Sequence, residues 1–469
     1  MAPLNVLLCL SVFVSGCLTF SCGQRVLDED LDSAYRGILK IRTQLGNTTL
    51  AALAQFILPK ISDPTQILEA VAISGTKDAL ATIKPSIEDE FKALLREYGV
   101  SYEVYTDDYR EMIEKHLREN LRLVEDDKVG EFNFARYHPY DEILQYLKDT
   151  AEKYPNLATV VNVAHTFEGR RIVAMKIGVA KDTPKRAVWI DAGIHAREWI
   201  APATTLYFIQ QLVTRYGHDQ TVTDLLEKLD WYILPVMNVD GYIYSWSHPA
   251  RRLWRKSTAF YNSMCEDRNS DTTSSCTCTE DDLDRNCTCP DTTTVQNCTC
   301  LGVDLNRNWD AEWGGPGASP DPCSDIYHGR SPVSEPEVKG VSEFILQRRG
   351  AIQAYLSLHS YGQLWMYPYG YNATKTPTDI KEHVKLSEIA TAAIRRVNGK
   401  QYRHGRATDV LFEAAGCSDD WAYDKAGIVH SYTIELRDTW EYGFLLPPDQ
   451  ILPTAQEVFP AFIQVRVQP

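Results

Sequence analysis

Val188-Trp-Ile-Asp-Ala-Gly-Ile-His195-Ala-Arg-Glu198-Trp199 is the stretch that decides the fold. An apolar run ends in glycine, and a histidine and a glutamate then stand three residues apart as a helical pattern begins. An imidazole and a carboxylate so spaced can turn toward one point, as two ligands of a divalent metal must. The pair alone is weak, because a surface salt bridge or a helix-start pair has the same spacing. Its meaning depends on what the other strand-like runs carry at their ends.

Working outward, residues 158–164, 171–177, 231–237, 351–359 and 430–436 read as further strands, and 140–154 and 200–215 as helices. Apolar strands alternating with helices predict an α/β fold: a mixed, mostly parallel twisted sheet with helices on both faces. In such sheets the site lies beyond the carboxyl ends of the strands. His195, His359 and Glu435 each fall at or near such an end, so distant segments are expected to converge on one edge.

A catalytic zinc site keeps three protein ligands and one open position, commonly two ligands close in sequence and one far away. His195, Glu198 and His359 fit, although His359 by itself also reads as a core histidine. Asp304 could accept the other ring proton of a liganding histidine. Glu435, in the apolar run Ser431-Tyr-Thr-Ile-Glu-Leu-Arg, is a candidate general base, a salt bridge to Arg437 being the alternative. Arg251-Arg-Leu-Trp-Arg255-Lys and Val303-Asp-Leu-Asn306-Arg307-Asn-Trp place planar guanidinium forks in loops. Such forks grip carboxylates or stabilise an oxyanion.

The 469 residues allow more than one domain, and 44% hydrophobic content suits a packed globular protein. A formal charge of −15 argues against a nucleic-acid partner. The apolar N-terminus is too short to span a bilayer and reads as a signal peptide over residues 1–23, with no stable membrane insertion expected afterwards. Seven of the 12 cysteines crowd between Cys265 and Cys300, which predicts disulfides in a secreted, extracellular protein. Asn47, Asn286, Asn297 and Asn372 each open an N-x-Ser/Thr sequon.

Residues 24–128 carry their own pattern. Strands are expected near 35–43, 71–74, 79–83 and 101–105, with helices at 47–58 and from the Ser86 cap to Gly99, and a charged helix follows at 111–124. This predicts a small α/β open sandwich with no catalytic pattern, read as a pro-domain, with a separate binding module as the alternative. Arg118, Arg122 and Lys128 are candidate sites for an activating trypsin-like protease.

The chain resembles the zinc metallocarboxypeptidases of the digestive, pancreatic A/B type. The resemblance rests on His195-Ala-Arg-Glu-Trp-Ile, Arg252-Leu-Trp-Arg-Lys, Asp304-Leu-Asn-Arg-Asn-Trp-Asp, His359-Ser-Tyr-Gly-Gln, Tyr367-Pro-Tyr-Gly-Tyr and Glu435-Leu-Arg-Asp-Thr, in the family's order. It implies a catalytic domain over 129–469 with one Zn2+ on His195, Glu198 and His359. Glu435 would be the base, and Arg255 would polarise the scissile carbonyl. Asn306 and Arg307 would hold the carboxylate of a peptide or protein C-terminus, with Arg197, Arg252, Ser360 and Tyr361 at the subsites. Asp419 stands where the basic-specific branch has its pocket-floor aspartate, so the chain is similar to a carboxypeptidase B and a Lys/Arg preference is expected. Gly370 leaves apolar specificity open, as the alternative. An attenuated relative that only binds C-terminal peptides is the other.

Two departures matter. Phe412 stands where the family has a tyrosine that bonds the substrate carboxylate, a loss of roughly 0.5–3 kcal/mol in binding. Cys417 replaces a glycine beside the pocket. Residues 262–300 are an acidic, Thr-rich insertion in which Cys-Thr-Cys recurs at 276–278, 287–289 and 298–300. It reads as a disulfide-stapled flap that narrows the cleft or binds an unidentified partner, a soft-metal site being the alternative. The family's loop disulfide implies a Cys300–Cys323 pair.

Overall fold

The computed structural model describes residues 39–44, 67–72, 78–83, 87–106, 109–128, 130–259, 265–266, 273–274, 300–322 and 324–464. The expected helix at 47–58, the Ser86 cap, most of the 262–300 insertion and Cys323 lie outside them. Cys300 is disulfide-bonded.

In the N-terminal part, β1 (Leu39–Gln44), β2 (Ile67–Ala72), β3 (Asp78–Ile83) and β4 (Ser101–Thr106) form an antiparallel sheet in the order β2-β3-β1-β4. Helix α1 (Glu88–Glu97) buries Phe91, Leu94 and Leu95, one apolar stripe of its turns. Helix α2 (Tyr109–Arg122) leads to the main body and docks there through Tyr109 and Ile113 against Leu445. Its His116 ring packs 5.4 Å from Tyr137 and 5.7 Å from Trp199.

The main body is an eight-stranded mixed sheet. Its strands are β5 (Ala158–His165), β6 (Arg171–Ile177), β7 (Arg186–Ala192), β8 (Leu229–Leu234), β11 (Ile352–His359), β12 (Leu364–Tyr367), β13 (Arg403–Arg406) and β14 (His430–Glu435). The order is β13-β12-β14-β11-β7-β8-β6-β5. The central run β14-β11-β7-β8 is parallel, while β5, β6 and the β12/β14 pair are antiparallel. A separate two-residue pair, β9 (Cys265–Glu266) and β10 (Thr273–Ser274), falls within the insertion. Beyond α3 (Tyr140–Lys153), the helices are α4 (Ile200–Arg215), α5 (Gln220–Lys228), α6 (Val239–Ser247), α7 (Pro336–Leu346), α8 (Ile380–Asn398), α9 (Ala407–Val410), α10 (Ser418–Asp424) and α11 (Ile451–Gln464).

The expected architecture is what is found, and the reason is local. After Arg186 every residue of β7 is buried, which demands cover on both faces. Parallel partners then require helical crossovers, so β7, β11 and β14 end at one edge. Gly193 turns the chain there with φ +64°, and a Cβ would press Pro202 and the backbone of Pro235 and Val236. His195 and Glu198 therefore lie on a tight turn before α4, not within the helix.

One buried group predicts acid sensitivity. His383 of α8 is 1% exposed among Tyr367, Tyr423 and Tyr432, and neither ring nitrogen has a hydrogen-bond partner among the described residues. Burial, reinforced by the His430 charge and opposed by Asp379, lowers its pKa to about 4. Below the unfolded value of 6.5 the unfolded chain takes up a proton that the fold refuses, so stability is full above that pH and declines toward pH 4. The expected loss is about 2 kcal/mol by pH 5. Urea unfolding at pH 7 and pH 5 checks it: His383→Phe should flatten the dependence, and an equally steep dependence in the variant would reject the assignment.

Candidate active site

Strand pairing brings the distant residues together. His359 and Glu435 are direct partners in the β11/β14 register, and Leu358 pairs with Ala192 on the other side. The turn after β7 then carries His195 and Glu198 over the end of β11. His195 Nδ1 lies 2.7 Å from Glu198 Oε1, and His359 Nδ1 lies 3.1 Å from Glu198 Oε2. The two Nδ1 atoms are 3.2 Å apart. All three side chains are buried, and their ligand atoms lie within 4.8 Å of one another.

The second nitrogen of each ring is engaged elsewhere. His195 Nε2 meets Asp304 Oδ1 at 3.1 Å. His359 Nε2 meets Ser357 Oγ at 3.2 Å, and that hydroxyl donates to Asp191 Oδ1 at 2.7 Å. Asp191 is further held by the Trp189 indole N–H at 2.7 Å. With both Nε2 atoms occupied, two Nδ1 lone pairs and one carboxylate face a common point, the donor set a divalent zinc requires. The electrostatics agree. Burial lowers the His195 pKa, with the Arg255 charge adding to it. Burial works the same way on His359, but Glu198 outweighs it and raises that ring to about 9. Glu198 is held well below the usual carboxylate range: burial would raise it, but the two imidazoles prevail. One positive centre shared by these groups is what the arrangement accommodates.

Glu435 closes one side. Its Oε2 is buried without a hydrogen-bond partner among the described residues. Burial pushes the carboxyl up to about 8, with Glu198 adding and His359 and Arg255 opposing. Opposite, Arg255 donates from Nε and Nη2 to Asp304 Oδ2 at 3.1 and 2.8 Å, while its Nη1 lies 4.0 Å from Glu198. Arg307 is anchored on the carbonyls of Gly317 and Asn306, and the Asn306 side chain accepts from Ser418 N at 3.0 Å.

A cleft of about 260 Å³ joins these groups. Its lining includes His195, Arg197, Glu198, Arg255, Asn306 and Arg307 on one side. His359, Ser360, Tyr361, Phe412, Asp419 and Glu435 line the other. Arg252 is the exception. It is fully buried with its guanidinium 3.7 Å from the centre of a Trp199 ring, donating to the carbonyls of Arg197 and Phe444. The expected subsite arginine is thus a strut beneath the cleft wall, because Trp199 and two carbonyls offer it a better-matched environment than the cleft does. Glu435 does not pair with Arg437, which is bound to Glu457 instead.

Several lining residues carried no readable signal, among them Asp325, Phe444 and Thr433. Phe444 stacks on Arg197 at 4.2 Å and meets Tyr361 edge-on at 5.1 Å. Of the adjacent acids, Asp420 accepts the Gly370 N–H and turns from the cleft, whereas Asp419 lines it at 3% exposure with a hydrogen bond from Thr433. Burial raises the Asp419 pKa, with backbone N–H groups, the His359 charge and Thr433 opposing. Cys417 is a free, buried thiol whose Sγ is 3.3 Å from the Asn306 carbonyl.

The sequence profile of the zinc carboxypeptidase family matches residues 143–461. The chain is 40% identical to rat carboxypeptidase A2 over 368 residues, 78% of each chain. It is 35% identical to human carboxypeptidase B2 over 389 residues, covering 82% of this chain and 81% of that one. In three dimensions it resembles the crystal structure of thrombin activatable fibrinolysis inhibitor, with TM-score 0.72, 30% identity and coverage of 91% and 98%. It also resembles carboxypeptidase A from Helicoverpa armigera, with TM-score 0.76, 27% identity and coverage of 92% and 97%. The chain belongs to the zinc carboxypeptidase family, and its relatives there are of the pancreatic A, B and O type. It is a zinc-dependent hydrolase of peptide bonds. Among the described residues, no helix is long and apolar enough to cross a membrane.

Proposed function

We infer that this protein is a secreted carboxypeptidase zymogen that removes C-terminal residues, preferably Lys or Arg, from peptides and proteins. Residues 24–128 are its activation segment and 129–469 its catalytic domain. The observation carrying the preference is Asp419, a buried carboxyl on the cleft wall with no salt bridge among the described residues. An incoming ammonium or guanidinium supplies one.

In this reading His195, Glu198 and His359 hold the zinc. Bound there, the metal lowers the pKa of a coordinated water to about 7 and polarises a carbonyl. Arg307 and Asn306 clamp the terminal carboxylate, restricting cleavage to the last bond. Arg255, pre-aimed by Asp304, steadies the developing oxyanion. Glu435 takes a proton from the attacking water and returns it to the leaving amine. Phe412, half exposed at the rim, supplies an aromatic cover without a hydroxyl. Arg118, Arg122 and Lys128 are exposed, which suits cleavage by a trypsin-like protease.

Limited trypsin treatment followed by assay on otherwise identical peptides ending in Arg or Phe tests this reading. Faster release of Arg, abolished by a chelator, is expected. Faster release of Phe, in keeping with the carboxypeptidase A2 relatives, would overturn the preference; no release from either would overturn the peptidase reading.

The Asp191–Ser357 relay gives a further expected result. Asp191→Ala should weaken zinc binding about 10–100-fold, because the Ser357 hydroxyl loses the acceptor that orients it toward His359. Competition with a chromogenic chelator measures it. Unchanged affinity would remove the relay from the account.

A further inference from the structure

The sequon at Asn372 lies on described, exposed chain beside the specificity pocket, and nothing in the catalytic account uses it. We propose that Asn372 carries an N-linked glycan that overhangs the pocket rim and favours flexible peptide C-termini over chain ends held close to a folded protein. The proposal rests on the secretion reading above, since the modifying machinery is met only on that route.

The local structure fits a modified asparagine. Asn372, Ala373 and Thr374 are all exposed, and the central residue is not proline. Asn372 Oδ1 accepts the Thr374 N–H at 2.8 Å and the Thr374 hydroxyl at 2.7 Å. Its oxygen is thereby turned inward, while Nδ2 makes no hydrogen bond among the described residues. In the modification, Nδ2 bonds to the anomeric carbon of a lipid-pyrophosphate-linked oligosaccharide. The carbon–oxygen bond to the pyrophosphate breaks with its electron pair, and one amide proton leaves to a base.

The base of the glycan is held in a fixed place. Arg406 donates to the carbonyls of Ala373 and Lys375 at 2.9 and 2.8 Å, and the Tyr371 hydroxyl donates to Asp424 at 2.9 Å. Ala373 N donates to Glu413 Oε1 at 3.3 Å. Glu413 lies between Phe412 and Ala414, and Arg406 precedes Ala407; Phe412, Ala414 and Ala407 all line the cleft. A bulky, hydrated group rooted one residue from these contacts stands over the rim that a C-terminus must pass. A short peptide slips beneath it, whereas a folded substrate has its own surface close behind the scissile bond and meets the glycan.

The test uses the full chain secreted from a eukaryotic cell. N-glycanase should convert Asn372 to aspartate, read in the peptide that contains it. After activation, the ratio of kcat/KM on a protein with a tethered C-terminus to that on the matching short peptide should rise about threefold or more once the glycan is gone. The Asn372 glycan is removed in one arm by Thr374→Ala and in another by N-glycanase on an Asn286→Gln/Asn297→Gln chain, whose remaining sequon at Asn47 leaves with the activation segment, so the result stands even where Thr374→Ala folds poorly. Protein in the medium with Asn372 unmodified would overturn the proposal and leave secretion intact. Protein retained in the cell would overturn the secretion reading and the proposal with it. A modified Asn372 whose removal leaves the ratio unchanged would overturn the role at the rim.

Discussion

Replacement of Glu435 by glutamine is expected to lower kcat about 10²–10⁴-fold on every peptide substrate, with zinc content and melting temperature held. Glutamine keeps the shape of the side chain but cannot take a proton from water. The wild-type carboxyl is suited to that task by its setting. It ends β14 in register with His359, and its Oε2 is buried without a partner among the described residues. Burial pushes its pKa up to about 8, Glu198 adding to it and His359 and Arg255 opposing, so the carboxyl holds a proton more readily than an exposed glutamate. That oxygen has no hydrogen bond to lose, and the neutral amide removes a carboxyl whose charged form burial disfavours, so the fold should not suffer. Steady-state kinetics alongside metal analysis decide the matter. A loss smaller than about tenfold would remove Glu435 as the base; a matching loss of zinc would instead make it a support of the metal site.

Asp419→Ala is the second large effect. For substrates ending in Arg or Lys, kcat/KM should fall by 2–5 kcal/mol, about 30-fold to several thousand-fold. For substrates ending in Leu or Phe it should hold or rise. The physical cause is the partner left behind: a guanidinium drawn into the cleft without its carboxylate is a buried charge with nothing to offset its desolvation. An apolar side chain gains instead, because a carboxyl that burial already strains is gone from the wall. Asp420 cannot substitute, since the Gly370 N–H holds it on the far side. Parallel rates on peptides differing only in the last residue measure the switch. An equal loss on both series would mean that Asp419 supports the loop and does not read the substrate.

Much of the site was legible because its chemistry sits at strand ends, where apolar periodicity stops and polar residues begin. His195, Glu198, His359 and Glu435 could be read as convergent before any coordinate was known. The two arginines of Arg252-Leu-Trp-Arg255 show the limit. Identical side chains three residues apart part company, one lining the cleft with its guanidinium bound to Asp304 and the other packed beneath Trp199. Spacing along a loop does not say which will meet an aromatic face. The Asp191 relay was missed despite an available signal, an acid inside the apolar run Val188-Trp-Ile-Asp-Ala. A carboxylate there has to find donors, and it found Trp189 on its own strand and Ser357 on the neighbouring β11.

By itself the sequence determined the class of fold, the edge at which chemistry could occur, and the residue types able to hold a metal and move a proton. Those follow from burial period and from the cost of placing charge inside an apolar strand, both local properties. Only the tertiary structure decided which nitrogen of each histidine is left for the metal, which of two neighbouring aspartates faces the cleft, and that Arg252 is a strut. Each depends on a partner contributed by a segment remote in the chain, and a hydrogen bond across such a distance leaves no period in the sequence to read.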